Sequence, residues 1–99
     1  MRLTFSQIEM IRHTAQVLCG DHVRVTLFGS RVDDHAKGGD VDLMMELPNN
    51  IDQPALLSAR LASRISRAMN DRKVDVILKA PNLMLQPIHE IASRNGVLL

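Results

Sequence analysis

The sequence predicts a small α/β (α+β) domain in which a mixed β-sheet has helices packed on one face and an open, polar second face. Three runs of alternating apolar and polar residues, His22 to Phe28, Asp40 to Leu47 and Lys73 to Lys79, each have one apolar side. Alternation of this kind marks a half-buried strand. Between and around these runs lie segments with apolar residues at helical spacing and with helix start and stop signals. A two-layer arrangement follows, because each strand must bury one face against something.

Ser6-Gln-Ile-Glu9 has the capping-box pattern, followed by Ile8, Ile11, Ala15 and Leu18 at helical spacing and by Gly20 as a stop. The first helix is expected from about Ser6 to Cys19. In the first strand Val23, Val25 and Leu27 face one way, and Arg24, Thr26 and Phe28 the other. This strand ends at Gly29-Ser30, and the polar stretch Arg31 to Gly39 reads as a turn. The second strand puts Val41, Leu43, Met45 and Leu47 on the apolar side and Asp40, Asp42, Met44 and Glu46 opposite.

Pro48-Asn-Asn50 breaks that strand, Asp52 is a candidate N-cap, and Pro54 suits a first helical turn. Leu57, Leu61, Ala62, Ile65, Ala68 and Met69 form the buried stripe of the second helix, with Arg60, Arg64 and Arg67 on its solvated side. The third strand places Val74, Val76 and Leu78 on the apolar face and Asp75, Ile77 and Lys79 on the other. A short helix from Pro87 to about Asn95 follows, stopped by Gly96 before an apolar tail, Val97 to Leu99, whose simplest fate is core burial. On the open face Phe28, Met44 and Ile77 are apolar groups that a partner or self-association would cover.

The whole chain of 99 residues reads as one domain, too short for two cores. A net charge of +1 argues against a large nucleic-acid footprint, and two Phe with no Tyr or Trp leave no base-stacking platform. Nucleic acid is therefore not the expected primary ligand. No apolar run has the length of a membrane span, and the first residues lack a signal-peptide core, so a cytoplasmic protein is expected. The lone Cys19 reads as a core thiol. His13, His22 and His89 read as surface or element-end residues without metal-ligand spacing, and His35 lies in the loop that leads to Asp40.

The chemistry is concentrated in Gly29-Ser30, followed after nine residues by Asp40-Val41-Asp42. Side chains two apart on a strand share a face, so Asp40 and Asp42 stand side by side. Paired carboxylates repel unless a cation lies between them, and Asp75 supplies a third acid from another strand. Asp-x-Asp alone is usually a solvated surface pair. Together with the Gly-Ser turn at one fixed offset, it arises in roughly one random chain of this length per thousand. A turn that admits phosphate beside three acids suits metal-assisted phosphoryl or nucleotidyl chemistry. Asp40 and Asp42 are the candidate holders of one or two Mg²⁺ ions. Asp75 completes the metal site or takes the proton of an attacking hydroxyl, and Gly29 and Ser30 approach phosphate. Arg31, Lys37 and Lys73 are candidates for neutralising pyrophosphate.

Phe28-Gly29-Ser30-Arg31 and Gly38-Gly39-Asp40-Val41-Asp42-Leu43 together resemble the signature of the DNA polymerase beta-like nucleotidyltransferase superfamily. The chain is most similar to its minimal nucleotidyltransferases, and Pro87-Ile-His-Glu-Ile-Ala with Gly96-Val-Leu-Leu is similar to the end of such proteins. The resemblance implies the nucleotidyltransferase fold. It also implies metal binding by Asp40, Asp42 and Asp75, and triphosphate binding by Gly29 and Ser30, with Arg31 adjoining in the same motif. It further implies ATP or another NTP as substrate, and a small helical HEPN-type toxin as partner. The chain would then be a type VII-like antitoxin that transfers AMP to a hydroxyl of the toxin. Two alternatives stay open: a non-catalytic, nucleotide-gated binding antitoxin, and nucleotidyl transfer to a small molecule or RNA. The chain departs from many relatives at Asp33-Asp34-His35, which adds negative charge where they carry a small residue.

Overall fold

A computed structural model describes residues 3–29 and 40–99. Ser30, Arg31, His35, Lys37 and the segments Asp33-Asp34 and Gly38-Gly39, all singled out from sequence, lie outside the described residues. Within them the chain forms a mixed α/β fold of three helices and an open four-stranded sheet. The elements are α1 (Phe5–Cys19), β1 (Arg24–Phe28), β2 (Val41–Glu46), α2 (Pro54–Ala68), β3 (Val74–Lys79), α3 (Pro87–Asn95) and β4 (Val97–Leu98). The sheet order is β3-β2-β1-β4. β1 runs antiparallel to both β2 and β4, whereas β2 and β3 are parallel and joined through α2.

The first helix starts earlier than Ser6. Thr4 is its N-cap: the Gln7 backbone N–H donates to Thr4 Oγ1 at 3.1 Å, and the Thr4 N–H donates to Gln7 Oε1 at 2.9 Å. Thr4 to Gln7 offers the same Ser/Thr-x-x-Glu/Gln chemistry two residues before Ser6-Glu9, and this earlier pair forms the box. Asp52 does not cap α2. Gln53 occupies that position without a side-chain bond, ahead of Pro54. The turn before α2 is held instead by Asn82, whose amide exchanges two hydrogen bonds with the Ile51 backbone at 3.0 and 2.9 Å. The α2 to β3 turn uses Asn70 and Asp71 at φ 58° and 59°. These side chains tolerate the left-handed region better than most.

One face of the sheet buries Val25, Leu27, Val41, Leu43, Met45, Val74 and Leu78 against Ile11 and Ala15 of α1 and Leu61 and Ile65 of α2. Each such aliphatic side chain, fully withdrawn from water, contributes about 2 kcal/mol. Met69 joins this core, but Ala68, expected in the stripe, is exposed, because the helix ends there and turns away. Arg60, Arg64 and Arg67 are exposed as expected.

The second face is not left wholly open. α3 lies over it, and Ala92 packs with Phe28, Met44 and Ile77, so Phe28 and Met44 are buried within the chain and Ile77 is partly covered. The expected apolar tail is a strand: Val97 and Leu98 pair with Leu27 and Thr26, and the Leu99 N–H donates to Val25 O at 2.8 Å. Gly96 permits the tight passage from α3 into β4. A Cβ there would collide with Ala92 O and the Thr26 methyl and would come within 2.9 Å of Leu27 O.

His89 is buried rather than at the surface. The Gln86 N–H donates to its Nδ1 at 3.0 Å, so Nδ1 is an acceptor and the proton sits on Nε2, which donates to Leu78 O at 2.8 Å. The carbonyls of Lys73 and Lys79 accept from Val41 and Leu47, so those of Val76 and Leu78 turn outward on the free edge of β3. Ser58 Oγ donates to the first at 2.9 Å and His89 to the second. Two helix side chains thereby occupy an edge that would otherwise template strand pairing.

Candidate functional site

The parallel pairing of β2 with β3 sets Asp42 directly opposite Asp75. Asp40 lies just before β2 rather than within it, and the Val41 N–H donates to Lys73 O at 2.9 Å, which brings the chain beside Asp40 next to the start of β3. The structure thus gathers acids from two strand starts at one end of the sheet. Lys73 stands between two of them, its Nζ 4.0 Å from Asp40 Oδ2 and 3.9 Å from Asp75 Oδ2. All three of these side chains are more than half exposed.

Asp42 is the more sheltered acid. Burial pushes its carboxyl above the ordinary carboxylate range, the negative charges of Asp75 and Asp40 push it further, and Lys73 draws it back. Asp40 and Asp75 both weaken the ionised form of Asp42, so the three carboxylates share one electrostatic environment.

Gly29 closes this corner. Phe28 pairs with Asp42 across β1 and β2, so the residue that leaves β1 passes beside the Asp42 side chain. Gly29 has φ 77°, a left-handed conformation, and a Cβ on it would run into Asp42 Oδ2. Its lack of a side chain keeps the Asp42 carboxylate where it is.

Of the residues expected in the site, Gly29, Asp40, Asp42 and Asp75 are described and lie together; Ser30 and Arg31 lie outside the described residues. Among the described residues, no three carboxylate, imidazole or thiol groups are drawn close enough to grip a metal ion jointly. The donor chemistry nonetheless suits a hard divalent cation. All three groups are carboxylates that repel one another, and Mg²⁺ needs only one or two of them besides water and phosphate oxygens.

Lys73 as the partner of Asp40 and Asp75 was not evident from sequence, where it read only as a candidate pyrophosphate neutraliser. Its adjacency to Asp40 exists only once β2 and β3 are paired. Among the described residues, a groove of about 500 Å³ lies away from these acids, at the opposite end of the β2–β3 pair, with Lys79, Leu85, Gln86, Pro87, His89, Glu90 and Ser93 as its lining. Cys19 is half-buried against the first core, and burial raises its thiol to about 11, which leaves it protonated and unreactive at neutral pH. Among the described residues, no helix is long and apolar enough to cross a membrane.

No family model matches this sequence, and no curated protein is found to match it.

Proposed function

We propose that this chain is a Mg²⁺-dependent nucleotidyltransferase that moves AMP from ATP to a hydroxyl of a partner protein, with a HEPN-type toxin as the acceptor that the sequence resemblance favours. The observation that carries this reading is the placement of Asp42 opposite Asp75, with Asp40 beside them and the bare backbone of Gly29 against Asp42. Bound there, Mg²⁺ would offset the charge of the triphosphate and of the leaving pyrophosphate. Asp40 and Asp42 would hold it, Asp42 being the better sheltered of the two. Gly29 leaves room for the Asp42 carboxylate against its own backbone, and Ser30 and Arg31, which follow it in the chain, would contact the triphosphate. Asp75 is exposed enough to meet an incoming hydroxyl and accept its proton. The acceptor oxygen then bonds to the α-phosphorus as the bond to the pyrophosphate oxygen breaks, and the proton rests on the carboxylate.

Transfer of label from α-³²P-ATP to the co-expressed partner, with Asp42→Asn as the comparison, tests the proposal. Labelling by wild type and none by Asp42→Asn is expected; equal labelling by both removes Asp42 from the chemistry. A second reading, a binding antitoxin that works by contact alone, draws on the Lys73 ion pairs and on the lack of a ready three-ligand cluster among the described residues. Under it, Asp42→Asn neutralises the partner as well as wild type does.

A further inference from the structure

Among the described residues, His89 is the one buried polar side chain, and it lies at the end of β3 away from Asp75. The Gln86 N–H points into its Nδ1 at 3.0 Å, and its Nε2 gives a proton to Leu78 O at 2.8 Å. Both ring nitrogens are committed, and only the neutral ring fits. A proton added at Nδ1 sets two donors face to face across 3.0 Å. The surroundings do nothing to hold that charge. Lys79 of β3 and Glu90 of α3 border the same groove as His89. Lys79 is itself a cation, paired with Glu46 of β2 at 3.5 Å, and Glu90 is held by Arg94 at 2.7 Å. From α2, Pro54, Ala55 and Ser58 line a second groove beside His89, and none carries a charge. His89 also lies in the first turn of α3, where the positive end of the helix disfavours a further cation.

We propose that His89 is an acid-sensitive latch: taking up a proton turns the ring out of its seat and frees the first turn of α3 from the β3 edge. The groove of about 500 Å³ beside it gives the charged ring a place to turn into and water to meet. Release opens the Gln86 N–H and the Leu78 carbonyl to solvent, and it loosens the helix whose Ala92 packs on Phe28 and Met44. The direction follows from proton linkage. The seated ring takes no proton at Nδ1 and the released ring does, so falling pH favours release. Imidazole in water charges at about pH 6.5. Each pH unit below that multiplies the ratio of released to seated α3 by about ten, which makes about thirtyfold between neutral pH and about pH 5.

The experiment is hydrogen exchange of the backbone amides of the full chain, followed by NMR from neutral pH to about pH 5 and corrected for intrinsic exchange. In wild type the α3 amides should lose about thirtyfold of their protection over this range, while those of β1 and β2 keep theirs. His89→Asn retains an acceptor for the Gln86 N–H but takes no proton, so its α3 protection should not vary with pH. His89→Gln, which keeps a donor for Leu78 O, carries the same expectation should His89→Asn fail to fold or leave α3 unprotected throughout. The exposed His13 and His22 titrate in every form, so wild type and variant differ in His89 alone. Constant α3 protection in wild type overturns the latch. So does an equal loss in His89→Asn, or an equal loss in β1 and β2, which makes the opening global.

Discussion

Replacing Gly29 by alanine should damage the site more than the fold, and the structure supplies the comparison that separates the two. At φ 77°, a Cβ on residue 29 costs about 1–2 kcal/mol in backbone strain alone. That Cβ would also collide with Asp42 Oδ2 and lie 3.3 Å from Asp42 Cγ. Backbone cannot yield cheaply, but a carboxylate can rotate, at a further ~1 kcal/mol for leaving its rotamer. The total is about 2–3 kcal/mol, which lowers the melting temperature of a domain this size by roughly 10 °C or more.

Gly20 is the control. It has φ 96° and ψ 168°, a region nearly reserved for glycine, and nothing lies within 4 Å of an added Cβ. Gly20→Ala should therefore lose about 1–3 kcal/mol through strain and touch no functional group. Both variants are melted by far-ultraviolet circular dichroism. Asp42 is then followed by ¹³C titration of its carboxyl, and AMP transfer is measured well below either melting temperature. Gly29→Ala should shift the Asp42 titration and slow transfer about 100-fold, the usual result of a misplacement near 1 Å. Gly20→Ala should leave both near wild type. An unchanged Asp42 titration in a folded, destabilised Gly29→Ala would refute the contact between residue 29 and the carboxylate.

Asp42→Asn should raise stability at neutral pH. The native carboxyl titrates above its ordinary value of 3.8, so ionisation penalises the folded state as pH rises past that value, and urea melts should show the gain above about pH 4 and its loss below. Gly96→Ala forces a methyl against two backbone carbonyls and Thr26, and should cost about 2 kcal/mol in urea denaturation by prising α3 from β4. His89→Leu keeps the bulk but strands the Leu78 carbonyl and the Gln86 N–H. A loss of about 1–3 kcal/mol is expected, with concentration-dependent self-association seen by light scattering as the β3 edge opens.

Strand and helix positions were legible because they depend on short-range periodicity. β1, β2, β3 and α3 fall within one or two residues of where alternation, Pro87 and Gly96 put them. What escaped depended on partners distant in sequence. Val97-Leu98 is too short to show alternation, and it becomes a strand only because Gly96 lets it fold back beside Thr26 and Leu27. The covering of Phe28, Met44 and Ile77 by Ala92 could not be read from the strands, since an apolar residue on a polar face is equally consistent with a docking surface. His89 misled for a related reason. It sits between charged and apolar neighbours on a short helix, and only the outward carbonyl of Leu78 explains its burial.

The candidate site divides along the same line. Asp40 and Asp42 share a face by the two-residue period of an extended chain, a rule internal to one segment. That Asp75 stands opposite Asp42 requires the register between β2 and β3, and that Lys73 bridges Asp40 and Asp75 requires the same register one step earlier. Repulsion among like charges tells a reader of the sequence that a cation is needed; it does not say whether the chain supplies one. The structure supplies one, from the residue two before the third acid. Lys73 is exposed, and its pairs with Asp40 and Asp75 offset part of the repulsion between these two acids. Asp42, sheltered and facing Asp75 across the strand pair, is therefore the residue whose replacement most directly separates a working site from three acids that merely share the end of a sheet.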